Sequence, residues 1–455
     1  MPSNHLDDWH LSNVVSEDHG LPVLADVDVV VVGAGAAGVA AATVCAEAGL
    51  SVILIEKYGF AGGAAVAGMS GTICGLYLAS DDDTAEPQQV VFGFTERFRV
   101  TLEQRGGLTR PQRYGKTWTV AHDPLMWRET ADELLTEAGV RVIFHAAVTG
   151  VIRDGESHTG VIVESNAGRV AIHAKRTIDA SGDAAVVSRA GGRYTFGDNG
   201  KIQNPTMFFR LGNVDTDRFW ADFGTDTICP PKVSALLSNE RAAGADLPRE
   251  KIWIFATTRP GELLVNATRL TAADGRMLNV IDPEDFTAAE ILGRKQVRSY
   301  ADFLSRSIDG CSESFVVDTG VEAGIRQTRS IAAVTTLTND MVLGCEKPAD
   351  GICASPWPIE LHDGSRPKLH WLIDDYYLVP YLTLVPERGE NIIVAGRCLG
   401  AEHEALASAR VTAQCFEYGH AAAQATVISL RDDTAYRAID AQLVREKMLE
   451  FGSSL

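Results

Sequence analysis

Residues 26–63 read DVDVVVVGAGAAGVAAATVCAEAGLSVILIEKYGFAGG, and no other stretch restricts the possible folds of this chain so strongly. Residues 27–32 form a short, β-branched apolar run of the kind that suits a buried parallel strand. Gly33, Gly35 and Gly38 follow at once as G-x-G-x-x-G. Gly33 permits a tight turn, Gly35 lets the backbone approach a pyrophosphate, and Gly38 permits close helix–strand contact. The small residues 36–45 suit a helix packed on a sheet, and its opening N–H groups, at Ala36 and Ala37, point a positive dipole end at a phosphate. Gly49 stops the helix, and residues 51–55 make a second buried strand ending at Glu56. Glu56 lies about 20 residues beyond the first glycine, where an acid takes ribose hydroxyls. A glycine-rich loop of another fold and a membrane helix are the competing readings. Three glycines at fingerprint spacing and Glu47 in mid-run argue against a span. The stretch is a dinucleotide-binding fingerprint.

A chain of 455 residues is too long for one simple core, so two domains are expected. Its net charge of −19 argues against nucleic acid or an anionic membrane as the main partner. Residues 1–25 have neither a basic start nor an apolar core, so no secretory signal is expected, only a polar arm. Eight cysteines are scattered without a C-x-x-C pair, which fits free thiols in a reducing cytoplasm and no metal site.

Residues 64–75 are rich in Gly and Ala, either a loop lying against a ligand or a packed helix; Cys74 sits there, facing a cofactor or packed and inert. Residues 91–104 read as a helix. The polar stretch 105–119, with Arg110, Arg113, Tyr114 and Trp118, is a candidate to lie near a substrate. Asp123-Pro124 caps and starts a helix that runs to Ala138, and residues 140–144 follow as a strand. Residues 148–153, 160–165 and 169–173 alternate as an antiparallel meander. Residues 176–180 are a buried strand ending in a Ser181-Gly182-Asp183 turn. From about 203 to 385 the α/β rhythm is lost. Strands over 206–211 and 263–266 and a helix over 287–306 mark a second, substrate-facing part. Residues 391–395 return as a buried strand before Gly396-Arg397, and residues 408–430 read as one long helix.

With these pieces placed, the chain resembles the bacterial FAD-dependent oxidoreductases of the glutathione-reductase and fumarate-reductase structural type. The motifs that carry the resemblance are VVVVGAGAAG, IEKYGFAGG, TIDASGD, GIRQTRS, YLVPYLTLVP and IIVAGRCLGAEHEALASARV, in the family's order. The resemblance implies an α/β fold. A Rossmann-like FAD-binding domain is formed by residues 26–200 and 387–455, with an α+β substrate or cap domain, 201–386, inserted. It implies that Gly33, Gly35, Ala36, Ala37 and Gly38 bind the FAD pyrophosphate and Glu56 the ribose. Lys57, Gly62, Gly63 and Ala64 would line the adenosine end, and Val148 would meet adenine through its backbone. Ser181, Gly182 and Asp183 match the family's A-T-G-D turn, with Ser in place of Thr. Gly396 and Arg397 would lie near the ribityl chain. Ser408, Arg410 and Val411, at a helix start, would face the flavin pyrimidine, where the dipole favours negative charge.

The expected activity is a dehydrogenase or oxidase passing hydride between a small polar metabolite, anionic if arginines face it, and the flavin. A C=C reductase, or a non-redox or NAD-consuming user of the fold, are the alternatives. His403, a few positions after Arg397, is the acid–base candidate, or a histidine that only supports the flavin loop. Arg326 and Arg329, three apart, share a face if helical and suit a carboxylate, or else an internal acid. Tyr381 is either a hydrogen-bond donor to substrate or an aromatic wall. Besides the substrate, a second copy of the chain or an electron-acceptor protein is the expected partner.

Overall fold

The apolar runs assemble into one mainly parallel sheet. In the computed structural model, which describes residues 20–155, 157–362 and 366–455, the strand Val23–Val32 lies between Val52–Ile55 and Gly168–Asp179, parallel to both. Arg141–Ile143 continues the sheet in parallel beyond Val52–Ile55, and Ile392–Val394 lies parallel to Gly168–Asp179. The expected polar arm falls outside the described residues up to residue 19. From Val23 the chain is already strand, earlier than the apolar run suggests, because residues 23–27 find partners on Gly168–Asp179.

Gly168–Asp179 is one strand where two were expected. Its first half pairs antiparallel with Ser157–Ser165, which pairs in turn with Ala147–Asp154. Its second half pairs parallel with Ile392–Val394. No glycine or proline interrupts it, so one extended segment serves both ladders and joins the meander to the parallel core.

The fingerprint helix, Ala36–Glu47, packs beneath a helix from the far end of the chain, Thr412–Arg431. A methyl group on Gly419 would come within 2.0 Å of the Ala37 carbonyl oxygen. That approach is why both helices are built from Ala and Gly. Asp123 caps the helix Pro124–Glu137 as expected, accepting from the N–H groups of Leu125 (2.8 Å) and Met126 (3.1 Å).

The expected single helix over 408–430 is two. His403–Ala409 ends, Arg410 and Val411 leave helical geometry, and Thr412–Arg431 begins after Val411, an N-cap residue that offers no capping side chain. No glycine or proline marks this break in the sequence.

The middle of the chain forms an antiparallel sheet in the order Trp253–Ala256, Leu263–Asn266, Phe209–Gly212, Phe315–Thr319. The helix Pro283–Ser307 covers it, and Phe209, Leu211, Val265, Tyr300 and Phe303 belong to a second hydrophobic core. A third small sheet, Thr72–Ile73, Thr117–Ala121 and Gln112–Tyr114, sits nearby. Among the described residues no helix is long and apolar enough to cross a membrane.

Candidate active site

One cavity runs from the fingerprint turn to the middle sheet. At its first end, Gly33 has φ +95°, and a Cβ there would lie 2.6 Å from the Ala180 carbonyl oxygen. Gly38 does not line the cavity. A Cβ on it would meet the Gly33 oxygen at 1.8 Å, so it serves the close helix–strand contact. The first turn of Ala36–Glu47 brings no capping side chain and no acid, which leaves its N–H groups for an anion. Gly63 closes the cradle: a methyl on it would come 2.9 Å from the Gly35 Cα.

Glu56 is buried, and its carboxylate accepts from the N–H groups of Ala34 (2.7 Å) and Tyr58 (3.0 Å). Burial raises its pKa against those hydrogen bonds. It thus holds the fingerprint backbone while lining the cavity. Lys57 pairs with Glu322 at 3.0 Å, and the Tyr58 hydroxyl donates to the same carboxylate, which ties this end to the middle of the chain.

In the centre, buried Asp179 organises the turn. It accepts from Ser181 N–H and Oγ and from the N–H groups of Val186 and Val187. Asp183 pairs with Arg397 at 2.6 Å and accepts from Thr328 Oγ1 at 2.7 Å. Burial opposes ionisation of Asp183, but Arg397 and Thr328 hold its pKa below the usual value.

The far end is a cluster that the sequence did not bring together. Tyr114 donates its hydroxyl to Glu360 Oε1 at 2.6 Å, and His362 Nε2 lies 3.5 Å from the same oxygen. Arg249 Nη2 lies 3.2 Å from His362 Nδ1. A guanidinium only donates, so Nδ1 accepts and the proton sits on Nε2. Burial, then Arg326 and Arg249, drives the His362 pKa well down, and the ring is neutral. Burial works against the Glu360 carboxylate. His362, Tyr114 and Arg410 outweigh it and hold the pKa well below the carboxylate range. Arg326 is buried, donating to the Asn204 carbonyl oxygen (2.7 Å) and to Asn266 Oδ1 (3.4 Å). Arg410 donates to Gln203 Oε1 at 3.0 Å, and its Nε is buried with no acceptor among the described residues. The break before Thr412–Arg431 is what frees Arg410 to reach the cavity.

Of the candidate residues, Gly33, Gly35, Ala36, Ala37, Glu56, Lys57, Gly62, Gly63, Ala64, Ser181, Gly182, Asp183, Gly396, Arg397, Arg410, Val411 and Arg326 line the cavity. Six do not. Gly38 packs as described. Val148 lies in the strand Ala147–Asp154. Ser408 is fully buried and donates to the Trp357 carbonyl oxygen at 2.6 Å. Tyr381 is fully buried and donates to the Tyr436 carbonyl oxygen at 3.0 Å, so it is a core tyrosine. Arg326 and Arg329 are not on a helix: Arg326 lies in a loop and Arg329 begins the strand Arg329–Ile331, so the helical spacing that would put them on one face is absent. Arg329 donates to the Asp183 carbonyl oxygen (3.2 Å) and lies over the Tyr194 ring. His403 opens the helix His403–Ala409 beside Gly197, away from the cavity lining.

Tyr114 falls in the polar stretch already singled out, whereas Glu360 and His362 were missed. Their signal was alternation: Ile359-Glu360-Leu361-His362 puts both polar residues on one face of the strand Ile359–Leu361 and its continuation. Cys74 lines the cavity too. Burial pushes its thiol up to about 11, against hydrogen bonds with Thr72 and Thr119, so it is protonated at neutral pH.

The residues fit FAD. Glycines keep the cradle clear, helix starts without a capping side chain at Ala36 and Thr412 face the cavity, and Glu56 lines it beside the fingerprint turn. The model of the family of FAD dependent oxidoreductases matches residues 28–448. A 38-residue stretch is 68% identical to a urocanate reductase of Eggerthella lenta, covering 8% of this chain and 6% of that protein. Among solved structures, the p-nitrophenol 4-monooxygenase of Pseudomonas putida has a TM-score of 0.50 at 12% identity, over 94% of this chain and 87% of that one. A geranylgeranyl bacteriochlorophyll reductase-like protein from Thermoplasma acidophilum has a TM-score of 0.49 at 16% identity, over 94% and 84%. At such identities the structural likeness speaks to fold alone.

Proposed function

The chain belongs to the family of FAD dependent oxidoreductases, and from that premise we propose that it passes hydride between a small anionic metabolite and the flavin, as a dehydrogenase or oxidase. The observation that carries this is the convergence of Arg326, Arg410 and Glu360 on one end of the cavity. Bound there, the flavin supplies a ring that takes or gives hydride. Arg326 and Arg410 grip the anionic group of the metabolite through charge-assisted hydrogen bonds, which fixes the reacting carbon. Glu360, kept ionised by the Tyr114 hydroxyl, His362 and Arg410, accepts a hydrogen bond from the metabolite and so orients it. Segment 201–386 is the substrate-facing part, contributing Phe208, Phe255, Asn266 and Arg326. The helix start at Thr412 and the guanidinium of Arg410 favour negative charge at their end of the cavity.

The reverse direction, reduction of a C=C bond, is the second reading; the short likeness to the urocanate reductase supports it. Anaerobic mixing of the flavin-loaded chain with small hydroxy, amino and saturated carboxylates tests the first reading. Bleaching of the flavin band by one of them is expected. If none bleaches it while unsaturated carboxylates reoxidise the dithionite-reduced protein, the direction is the reverse.

A further inference from the structure

The far end of the cavity gathers more positive charge than negative and has aromatic walls. Three guanidinium groups, Arg249, Arg326 and Arg410, stand around one carboxylate, Glu360, with His362 neutral between them. Arg249 is fully buried behind the lining, not part of it, and its Nε and Nη1 find no acceptor among the described residues. Burial, then Arg249 and Arg410, pulls the Arg326 pKa down, which is the mark of buried positive charge short of counterions. A fold does not hold such charge dry without a use for it, because unpaired buried charge is costly.

The walls are aromatic. Tyr114, Phe208, Phe255 and Trp357 line this end. The Tyr114 ring lies 5.1 Å from Trp357, centre to centre, and is stacked within 20° of the Phe255 plane at 6.2 Å. Trp357 is buried, and its indole Nε1–H has no acceptor among the described residues. Aliphatic side chains would line the space as well for an aliphatic guest. Rings favour a flat π-system, which they meet by stacking or edge contacts.

We infer that this end of the cavity takes a planar aromatic or conjugated carboxylate, its carboxylate on Arg326 and Arg410 and its plane against the Tyr114, Phe255 and Trp357 rings. This rests on the anion-binding reading above and narrows it to a substrate class.

Three probes of similar size separate the terms: benzoate, cyclohexanecarboxylate, which is not flat, and benzamide, which is not charged. Each is titrated into the flavin-loaded chain and read by flavin absorbance and by tryptophan emission. Benzoate is expected to bind saturably, several-fold more tightly than cyclohexanecarboxylate and at least tenfold more tightly than benzamide. The emission change is expected to vanish in Trp357→Phe. Arg326→Met is expected to lose at least tenfold in benzoate affinity and Arg326→Lys less, with FAD affinity held in both. Equal binding of benzoate and cyclohexanecarboxylate, or of benzoate and benzamide, overturns the inference and needs no variant to fold. Preferential benzoate binding by a flavin that no metabolite reduces would overturn the hydride-transfer reading and leave this one standing.

Discussion

Replacing Gly38 by alanine sets helix propensity against the packing of the fingerprint turn. In the middle of a helix, alanine is more favourable than glycine by about 1 kcal/mol. At this position the added methyl would stand 1.8 Å from the Gly33 carbonyl oxygen and 2.9 Å from its carbon, where ordinary contact begins at 3.4 Å. The obstacle is backbone, held by the Gly33 N–H bond to the Ile55 carbonyl at 2.8 Å, so helix and turn must part by more than 1 Å. Overpacking costs ~1–3 kcal/mol, and a rigid obstacle belongs at the upper end. The net expectation is a loss of about 2 kcal/mol in stability. The cofactor feels it more, because the displaced turn carries the phosphate-facing N–H groups. One lost charge-assisted hydrogen bond, ~1.5–3 kcal/mol, weakens FAD about 10- to 100-fold. Urea unfolding gives the first quantity and quenching of flavin fluorescence the second. Gly20→Ala, at a position with nothing within 4 Å, is the control and is expected to change neither. If Gly38→Ala is as stable as the parent and binds FAD as tightly, the packing argument is wrong.

Two further variants read buried charge. His122 is buried against Trp127, and burial, outweighing the neighbouring Asp123, lowers its pKa from 6.5 to about 4. Burial, then Arg153, does the same to His158, also to about 4. The unfolded chain binds these protons below ~6.5 and the folded chain does not until about 4, so stability falls as pH drops through that window. At pH 5 each histidine accounts for about 2 kcal/mol. His362, driven down by burial as well, adds to this, so the urea midpoint is expected to fall between pH 7 and pH 5, and His122→Phe, which keeps the ring against Trp127, to remove about a third of the slope that the three histidines impose. Asp183→Asn removes the partner of Arg397 and leaves the guanidinium partly buried beside the turn. A loss of about 3 kcal/mol is expected, the low end for a buried pair because both side chains keep some exposure. In Asp183→Asn with Arg397→Gln the loss should be smaller than the sum, as a thermal or urea double-mutant cycle will show.

Contiguity decided how much of this could be read in advance. The fingerprint turn, helix, second strand and Glu56 follow one another within one stretch, each fixed by local chemistry, and all are found where expected. The Asp123 cap is local in the same way. The strand Gly168–Asp179 was divided in error because its partners, which decide where a strand ends, come from distant segments. The break at Arg410 was invisible because it is imposed by the cavity and not by a helix-breaking residue. The pairing of Arg326 with Arg329 assumed helical spacing in a segment that is loop running into a strand. Tyr114, Glu360, His362 and Arg249 lie on separate segments and meet only through tertiary packing. Proximity in sequence to Arg397 favoured His403, and the fold instead sends that helix start to Gly197.

The visible spectrum of the purified chain, before and after acid precipitation, tests the central claim most directly, followed by anaerobic addition of small carboxylates. A flavin band that passes into the supernatant is expected, because burial keeps the Cys74 thiol protonated and unreactive, and one of the carboxylates is expected to bleach it. A colourless protein that also refuses added FAD would contradict the account.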